Sequence, residues 1–291
     1  MLNRRNLAAL MTAFVLSVLT AAPVGAAKPV KPPAPMPGGE RPLTPDELAA
    51  SDRKIAGAEA YIASVDASGQ DLVALSCVTP TGSTTSATTQ ACYVPQAYLP
   101  VEARDQTFGH YCGPAVGQVI ANYSWAMKSG VNKYTQGRIA GWMKTDANGL
   151  TNAPELEDGL EAGTIGSPRR PAGWDWVVSG LSDLDRDGTT ADELQNYVRS
   201  NVSGSKMPLA IPVKPHSPWS SYHLSSWPKA VNSPGHWIAA YGWYSYWTGT
   251  TFARIYYTDS SRDEGGSTGK FWNPTRDIAA LVMQHTKRFV W

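Results

Sequence analysis

The sequence predicts an α+β fold in which a helix beginning at Cys112 packs on an antiparallel β-sheet that carries His236 and Asp259. Three observations support this prediction. Apolar residues recur at helical spacing after Cys112. Two strand-like runs, 236–245 and 252–258, flank a segment with turn composition. Upstream, two cysteines bracket a polar stretch that is typical of a hairpin tip.

The first 27 residues have the pattern of a secretory signal peptide. Arg4 and Arg5 precede an apolar run from Leu7 to about Leu19, and small residues lead to Ala27. The run is too short to span a bilayer as a mature helix. We expect a secreted protein that is cleaved near Ala27 and has no membrane segment afterwards. The arginine pair leaves both the Sec and the twin-arginine export routes open.

Residues 28–43 are Pro-rich and predict an extended linker. Two of the 25 Lys and Arg residues lie in the signal peptide, which leaves 23 against 24 Asp and Glu. This balance, without basic blocks, favours neither nucleic acid nor an anionic membrane surface as a partner. We expect a segment 44–100 and a main domain 101–291, most simply as a monomer. Whether 44–100 is a removable pro-segment or a permanent part of the domain stays open.

The cysteines are three in number, and an exported protein tends to pair them. Cys77 and Cys92 flank the polar stretch 79–90 between short strand-like segments. We predict a β-hairpin closed by a Cys77–Cys92 disulfide, worth roughly 3 kcal/mol by loop entropy. The alternative is two unrelated buried thiols. Cys112 is then left unpaired.

Cys112 stands between Gly109 and the pair Gly113–Pro114, and Pro is favoured in the first turn of a helix. The following apolar residues recur at helical spacing: Val116, Val119, Ile120 and Tyr123. Unpaired backbone N–H groups at a helix start favour a thiolate, the nucleophilic form of cysteine. Cys112 is therefore a candidate nucleophile, with a small buried side chain as the alternative.

A thiol nucleophile needs a base and a group that orients the base. Of the five histidines, His236 opens the buried strand 236–245, and Asp259 ends the next strand. The numbering predicts that the two residues lie opposite each other at the open end of an antiparallel hairpin. A carboxylate there would fix the imidazole tautomer and favour the imidazolium. The alternatives are a buried core imidazole and an acid that caps a turn.

Gln106 lies six residues before Cys112, just ahead of the predicted helix. Its side-chain amide, together with the backbone N–H of Cys112, is a candidate oxyanion hole. One such donor typically supplies roughly 3–4 kcal/mol of transition-state stabilisation.

These residues stand in three blocks: Gln106 with Tyr111–Ala115, then Gly235–Ile238, then Tyr257–Ser260. Together the blocks resemble the papain-like cysteine peptidases that cleave double-glycine leader peptides, and more closely their free-standing secreted relatives of actinobacterial type. The resemblance covers about 101–291. It implies a papain-like α+β fold, with Cys112, His236, Asp259 and Gln106 as the catalytic residues. We expect no transporter after the domain, and we therefore do not carry over leader-peptide specificity.

The segment Asp183–Gly188 places acids at positions 1, 3 and 5 of a calcium-loop pattern, namely Asp183, Asp185 and Asp187. Position 12 is Leu194, where that pattern requires an acid. Two interpretations stay open, a structural calcium site or an acidic turn that caps a helix at 190–198. We expect no cofactor for catalysis.

Five tryptophans cluster around the His236 strand: Trp219, Trp227, Trp237, Trp243 and Trp247. They suit core packing or an aromatic-lined cleft for a peptide or glycan. The leading hypothesis is a secreted thiol hydrolase that cleaves peptide or protein substrates, cell-wall peptides among them. The alternatives are a catalytically silent binding protein on the same fold and a cell-wall amidase or transpeptidase.

Overall fold

The structure is a computed structural model that describes residues 41–68, 72–79, 88–145, 151–181, 189–217, 221–228, 235–245, 253–261 and 266–291. In 72–79 and 88–95 the backbone alone is described. The six α-helices of this part are α1 (Pro45–Ser68), α2 (Cys112–Ser124), α3 (Gln136–Trp142), α4 (Ala153–Thr164), α5 (Thr189–Arg199) and α6 (Thr275–Met283). The π-helical turn Ser200–Ser205 continues α5.

Eight strands form one sheet whose described pairings are all antiparallel. They are β1 (Leu72–Thr79), β2 (Thr88–Tyr98), β3 (Val178–Gly180), β4 (Leu209–Val213), β5 (His236–Tyr244), β6 (Arg254–Asp259), β7 (Gly269–Pro274) and β8 (Arg288–Val290). The combination of helices with an antiparallel sheet confirms the predicted α+β class.

Strand β5 is the centre of this sheet. One part of β5 pairs with β4, from His236 opposite Val213 to Ala240 opposite Leu209. The end of the strand pairs with β2, where Gly242 faces Tyr98. Strand β6 also pairs with β5, and β7 follows β6. The strand that begins with His236 is therefore held by three neighbours.

Helix α2 begins at Cys112, as the sequence predicts, and every residue from Gly113 to Ser124 is buried. Its apolar side chains pack against β5, α3 and α4. Close packing depends on Gly117, because a Cβ atom there would lie 2.5 Å from the Met143 methyl group. The helix is thus locked into the core, and its first residue is fixed with it.

Helix α1 is tied to the body by polar contacts. Ser51 Oγ lies 2.6 Å from Ser179 Oγ, and Arg199 forms an ion pair with Asp66. The Lys54 ammonium donates to the carbonyl of Asp175 and lies over the Trp174 ring, 3.8 Å from its centroid. Residues 35–291 cluster as a single unit, without a division near residue 100.

The predicted signal peptide and most of the linker lie outside the described residues. Among the residues that are described, no helix is long and apolar enough to cross a membrane.

Candidate active site

Cys112 lies at the first position of α2 and is partly exposed, whereas the rest of the helix is buried. Its thiol forms no disulfide. The side chains of Cys77 and Cys92 are outside the described part of the structure. The next residue must be small, because a Cβ atom on Gly113 would lie 2.7 Å from Thr151 Oγ1. Thr151 therefore packs against the first turn of α2, next to the partly exposed Cys112.

The His236 imidazole interacts with both Asp259 and Cys112. Its Nε2 atom is 2.7 Å from Asp259 Oδ1, and the Cys112 side chain is a further hydrogen-bond partner of the ring. The three predicted residues are thus brought together in the order thiol, imidazole and carboxylate.

His236 and Asp259 are in contact, but they are not directly opposite each other in the β5–β6 pair, as the sequence had predicted. Strand β5 pairs Ala239 with Thr258, two positions away from the register that would place His236 opposite Asp259. The register also shifts between Ala240 and Gly242. A displacement of two residues keeps a side chain on the same face of a strand, so the two groups meet as diagonal neighbours.

Asp259 is completely buried, and its two oxygens accept four hydrogen bonds. Oδ1 accepts from the His236 ring and from the backbone N–H of Ser261, at 2.8 Å. Oδ2 accepts from Ser226 Oγ at 2.6 Å and from Trp227 Nε1 at 2.9 Å. A buried carboxylate with this many donors is stable in its charged form.

The electrostatics of the pair favour an imidazolium facing a carboxylate. Burial alone would lower the pKa of His236, but Asp259 and the Cys112 side chain together raise it to about 10. Burial would raise the pKa of Asp259, yet the His236 charge and the hydrogen bonds from Ser226 and Ser261 leave it lowered. At neutral pH His236 is therefore charged.

Gln106 is buried, and its backbone N–H donates to the carbonyl of Ser260, directly after Asp259. The side-chain Nε2 donates to the carbonyl of Gly109 at 2.8 Å. This bond sets the orientation of the amide, because a flip would oppose two carbonyl oxygens. The second N–H of the same nitrogen has no acceptor among the described residues.

The other histidines are positioned for different tasks. His110 stacks on Phe108 and lies edge-on to Tyr111. His216 and His223 stack on each other in the loop between β4 and β5. The imidazole of His285 lies where a Cβ atom on Gly235 would be.

His285 stays neutral although it lies near His236. Burial, followed by the positive charges of Lys214 and His236, lowers the pKa of His285 to about 4. Two cationic neighbours would repel a third charge, so this imidazole cannot serve as the proton carrier at neutral pH.

Ser226 and Trp227 are parts of the site that the sequence does not assign. Both donate to Asp259, and the Trp227 ring lies edge-on to His236, with 5.1 Å between ring centroids. Asn273 holds their loop, because its Oδ1 accepts from the backbone N–H of Ser225. A Ser–Trp pair in an irregular loop has no periodicity that links it to residue 259.

Of the five tryptophans near the His236 strand, three are described by the structure. Trp227, Trp237 and Trp243 are buried, which favours packing over an open cleft, while Trp219 and Trp247 lie outside the described residues. The indole of Trp237 donates to the carbonyl of Thr151 and holds the loop beside Cys112.

Two predicted sites stay predictions. In the hairpin β1–β2, Cys77 faces Gln90 and Cys92 faces Leu75, so the two cysteines are diagonal neighbours by backbone register. Their side chains, and with them the predicted disulfide, are outside the described residues. The calcium-loop acids Asp183, Asp185 and Asp187 are outside them as well.

No family model matches the chain, and no curated protein sequence matches it. Among solved structures, the proform of Amb a 11, a cysteine protease and ragweed pollen allergen, is 12% identical with a TM-score of 0.41. The match covers 67% of this chain and 65% of that one.

A recombinant stem bromelain precursor and a digestive procathepsin L 3 of Tenebrio molitor larval midgut are each 10% identical. Each match covers 87% of this chain and 94% of the other, with TM-scores of 0.41 and 0.37. At these values the likeness carries no information on activity or substrate, and the site must be judged by its own geometry.

Proposed function

We propose that this protein is a secreted, papain-like thiol hydrolase that cleaves amide bonds in peptides or proteins. The observation that carries the proposal is that the His236 ring interacts with both the Cys112 thiol and the buried Asp259 carboxylate. A core imidazole needs no solvent-accessible thiol beside it. Because Cys112 is partly exposed, a substrate can reach the thiol beside His236.

In the first half of the reaction, the Cys112 thiolate attacks the amide carbonyl and forms a C–S bond. The imidazolium of His236 gives its proton to the departing nitrogen as the C–N bond breaks. The second N–H of Gln106 Nε2 and the backbone N–H of Cys112 receive the oxyanion. The products of this half are an amine and a thioester.

In the second half, the neutral His236 takes a proton from water, which attacks the thioester carbonyl. The C–S bond breaks, the acid is released and the thiolate–imidazolium pair is restored. Asp259 keeps its charge throughout, because four donors hold it as a carboxylate. It orients the ring and stabilises the imidazolium.

The narrower resemblance, to secreted relatives of double-glycine leader peptidases, rests on the three sequence blocks around Cys112, His236 and Asp259. It suggests peptide substrates, with cell-wall peptides as one source. Secretion rests on the signal-peptide pattern of residues 1–27.

A hydrolysis screen tests the proposal. The secreted form and its Cys112→Ala variant are incubated with a mixed peptide library and with purified peptidoglycan, and new amino termini are detected by mass spectrometry. We expect cleavage by the parent and none by the variant. If neither material yields cleavage that depends on Cys112, the proposal fails and a silent binding protein is the better description. Cleavage confined to the amide bond that joins peptide to sugar in peptidoglycan would instead identify a cell-wall amidase.

A further inference from the structure

A row of aromatic side chains crosses four strands on one face of the sheet. Tyr98 of β2 faces Gly242 of β5, Gly242 faces Tyr256 of β6, and Tyr256 faces Trp272 of β7. Residues in register share a face, so this row spans three strand spacings, about 14 Å. Tyr98 is 46% exposed and Trp272 is 43% exposed, and both rank among the most exposed large apolar side chains of the described residues.

The row is continuous because its second position is glycine. A Cβ atom on Gly242 would lie 2.7 Å from Tyr98 Cδ1 and 3.3 Å from the Tyr256 Cβ. The ring of Tyr98 therefore extends across the gap and meets the ring of Tyr256 edge-on, with 4.7 Å between centroids. Tyr98, Tyr256 and Trp272 together are called the aromatic strip below.

Two positive charges border the aromatic strip. The guanidinium of Arg254 lies 4.0 Å from the Trp272 ring centroid and 5.6 Å from that of Tyr244. The Lys270 ammonium lies 5.5 Å from the Tyr241 centroid. Neither cation has a carboxylate within salt-bridge distance among the described residues. Aromatic rings hold both charges without neutralising them.

The aromatic strip is separate from the candidate active site. Along β6, Ile255, Tyr257 and Asp259 are buried, whereas Arg254 and Tyr256 alternate with them and are partly exposed. Successive residues of a strand point to opposite faces. The proposed chemistry therefore uses neither the strip nor its cations.

A protein partner suits this surface poorly. Two large rings that are less than half exposed offer about 200 Å² at most, whereas a stable dimer buries about 800 Å² on each partner. A peptide that adds as a strand needs a free sheet edge. Strand β7 offers such an edge, since β6 is its one partner among the described strands, but the rings of the strip stand on the face of the sheet and not along that edge.

We propose that the aromatic strip binds a glycan chain that carries carboxylates. The C–H face of a pyranose ring stacks on an aromatic ring, and a linear row of rings suits a linear polysaccharide. Arg254 and Lys270 supply the charge that a sugar carboxylate requires, and Gln96, beside Tyr98, supplies an amide. Such a site would hold the protein on an acidic polysaccharide while the thiol site acts elsewhere.

Affinity electrophoresis tests the proposal, with polygalacturonate in the gel as the acidic glycan and dextran as the neutral one. We expect polygalacturonate to retard the full chain more than dextran does. Trp272→Ala and Arg254→Gln should each weaken the retardation about tenfold. Phe108→Ala is the matched control, because Phe108 is an aromatic residue that is 54% exposed outside the strip. It should bind like the parent, and so should Cys112→Ala, which separates this proposal from the thiol chemistry.

Three results would overturn the proposal. One is equal mobility in gels with and without polygalacturonate. The second is an equal loss of binding in Phe108→Ala and Trp272→Ala, which would indicate general stickiness. The third is a dimer on size-exclusion chromatography that Trp272→Ala dissociates, which would assign the strip to a second copy of the chain.

Discussion

His236 Nε2 lies 2.7 Å from Asp259 Oδ1, and the two side chains are 1% and 0% exposed. A buried ion pair is weak evidence for stability, because desolvation offsets much of the attraction. Here the pair also meets a partly exposed thiol at the start of a helix. That third group gives the charged imidazole a chemical use, and the predictions below follow from it.

Replacing Asp259 by Asn should preserve the shape of the site but remove the charge that holds the imidazolium. General acid–base assistance is typically worth about 10² to 10⁴ in rate, and we expect kcat to fall within that range. Steady-state hydrolysis of a peptide identified in the screen measures it. The shorter Asp259→Ala leaves a buried imidazolium without a partner and should lower the free energy of unfolding by about 3–5 kcal/mol. A kcat within twofold of the parent for both variants would contradict this role.

The stability of the protein should depend on pH through His236. Its folded pKa, about 10, is raised above the ordinary value of about 6.5. The stabilisation from the charged ring is therefore fully present below about pH 6.5 and is lost as the pH rises towards 10. Urea unfolding of the parent and of His236→Gln at several pH values measures the difference. A difference that does not shrink between pH 6.5 and 10 would contradict the raised pKa.

Trp227 should matter through its hydrogen bond to a charge rather than through its size alone. Trp227→Phe leaves one Asp259 oxygen with a donor fewer, and a hydrogen bond to a charged group is worth about 1.5–3 kcal/mol. Trp243→Phe is the matched control, since that buried indole donates to the neutral Ser203 Oγ. It should cost about 0.5–1.5 kcal/mol for its bond. Equal losses of unfolding free energy in the two variants would show that Trp227 only fills space.

Gln106→Ala should lower kcat by about 10² to 10³, the effect of losing one oxyanion donor. The rate at which iodoacetamide alkylates Cys112 should stay unchanged, because alkylation forms no oxyanion. A parallel loss of both rates would instead indicate that the variant disturbs the helix start.

The segment before residue 100 should be a permanent part of the folded domain. Strand β2 pairs with β5 through Gln96–Tyr98, and α1 is tied to the body through Ser51, Lys54 and Asp66. A chain that starts at residue 41 should therefore be soluble and as active as the secreted form. A chain that starts at residue 101 should be insoluble or unfolded by circular dichroism. A stable, more active shorter chain would show that 44–100 is a pro-segment.

Much of the site could be predicted because its signals are local. Gly113–Pro114 and the apolar spacing that follows indicate a helix start at Cys112, and the run after His236 indicates a buried strand. The predicted register between β5 and β6 was wrong by two positions, although it did bring Asp259 near His236. A register irregularity between Ala240 and Gly242 has no local signature in this run of apolar residues.

Ser226 and Trp227 could not be predicted, for a different reason. They reach Asp259 from an irregular loop, and their placement depends on Asn273 of β7. Such contacts between distant segments depend on the whole fold rather than on a pattern within either segment.

The most direct test of the central claim is the alkylation rate of Cys112 by iodoacetamide at pH 5.5 and pH 7, in the parent, His236→Ala and His110→Ala. A free cysteine, with a pKa of about 8.5, is only about 0.1% thiolate at pH 5.5 and reacts slowly. We predict that the parent and His110→Ala react at least about tenfold faster than glutathione at pH 5.5, and that His236→Ala loses this advantage. A Cys112 that reacts no faster than glutathione at either pH, and equally in all three proteins, would contradict the account.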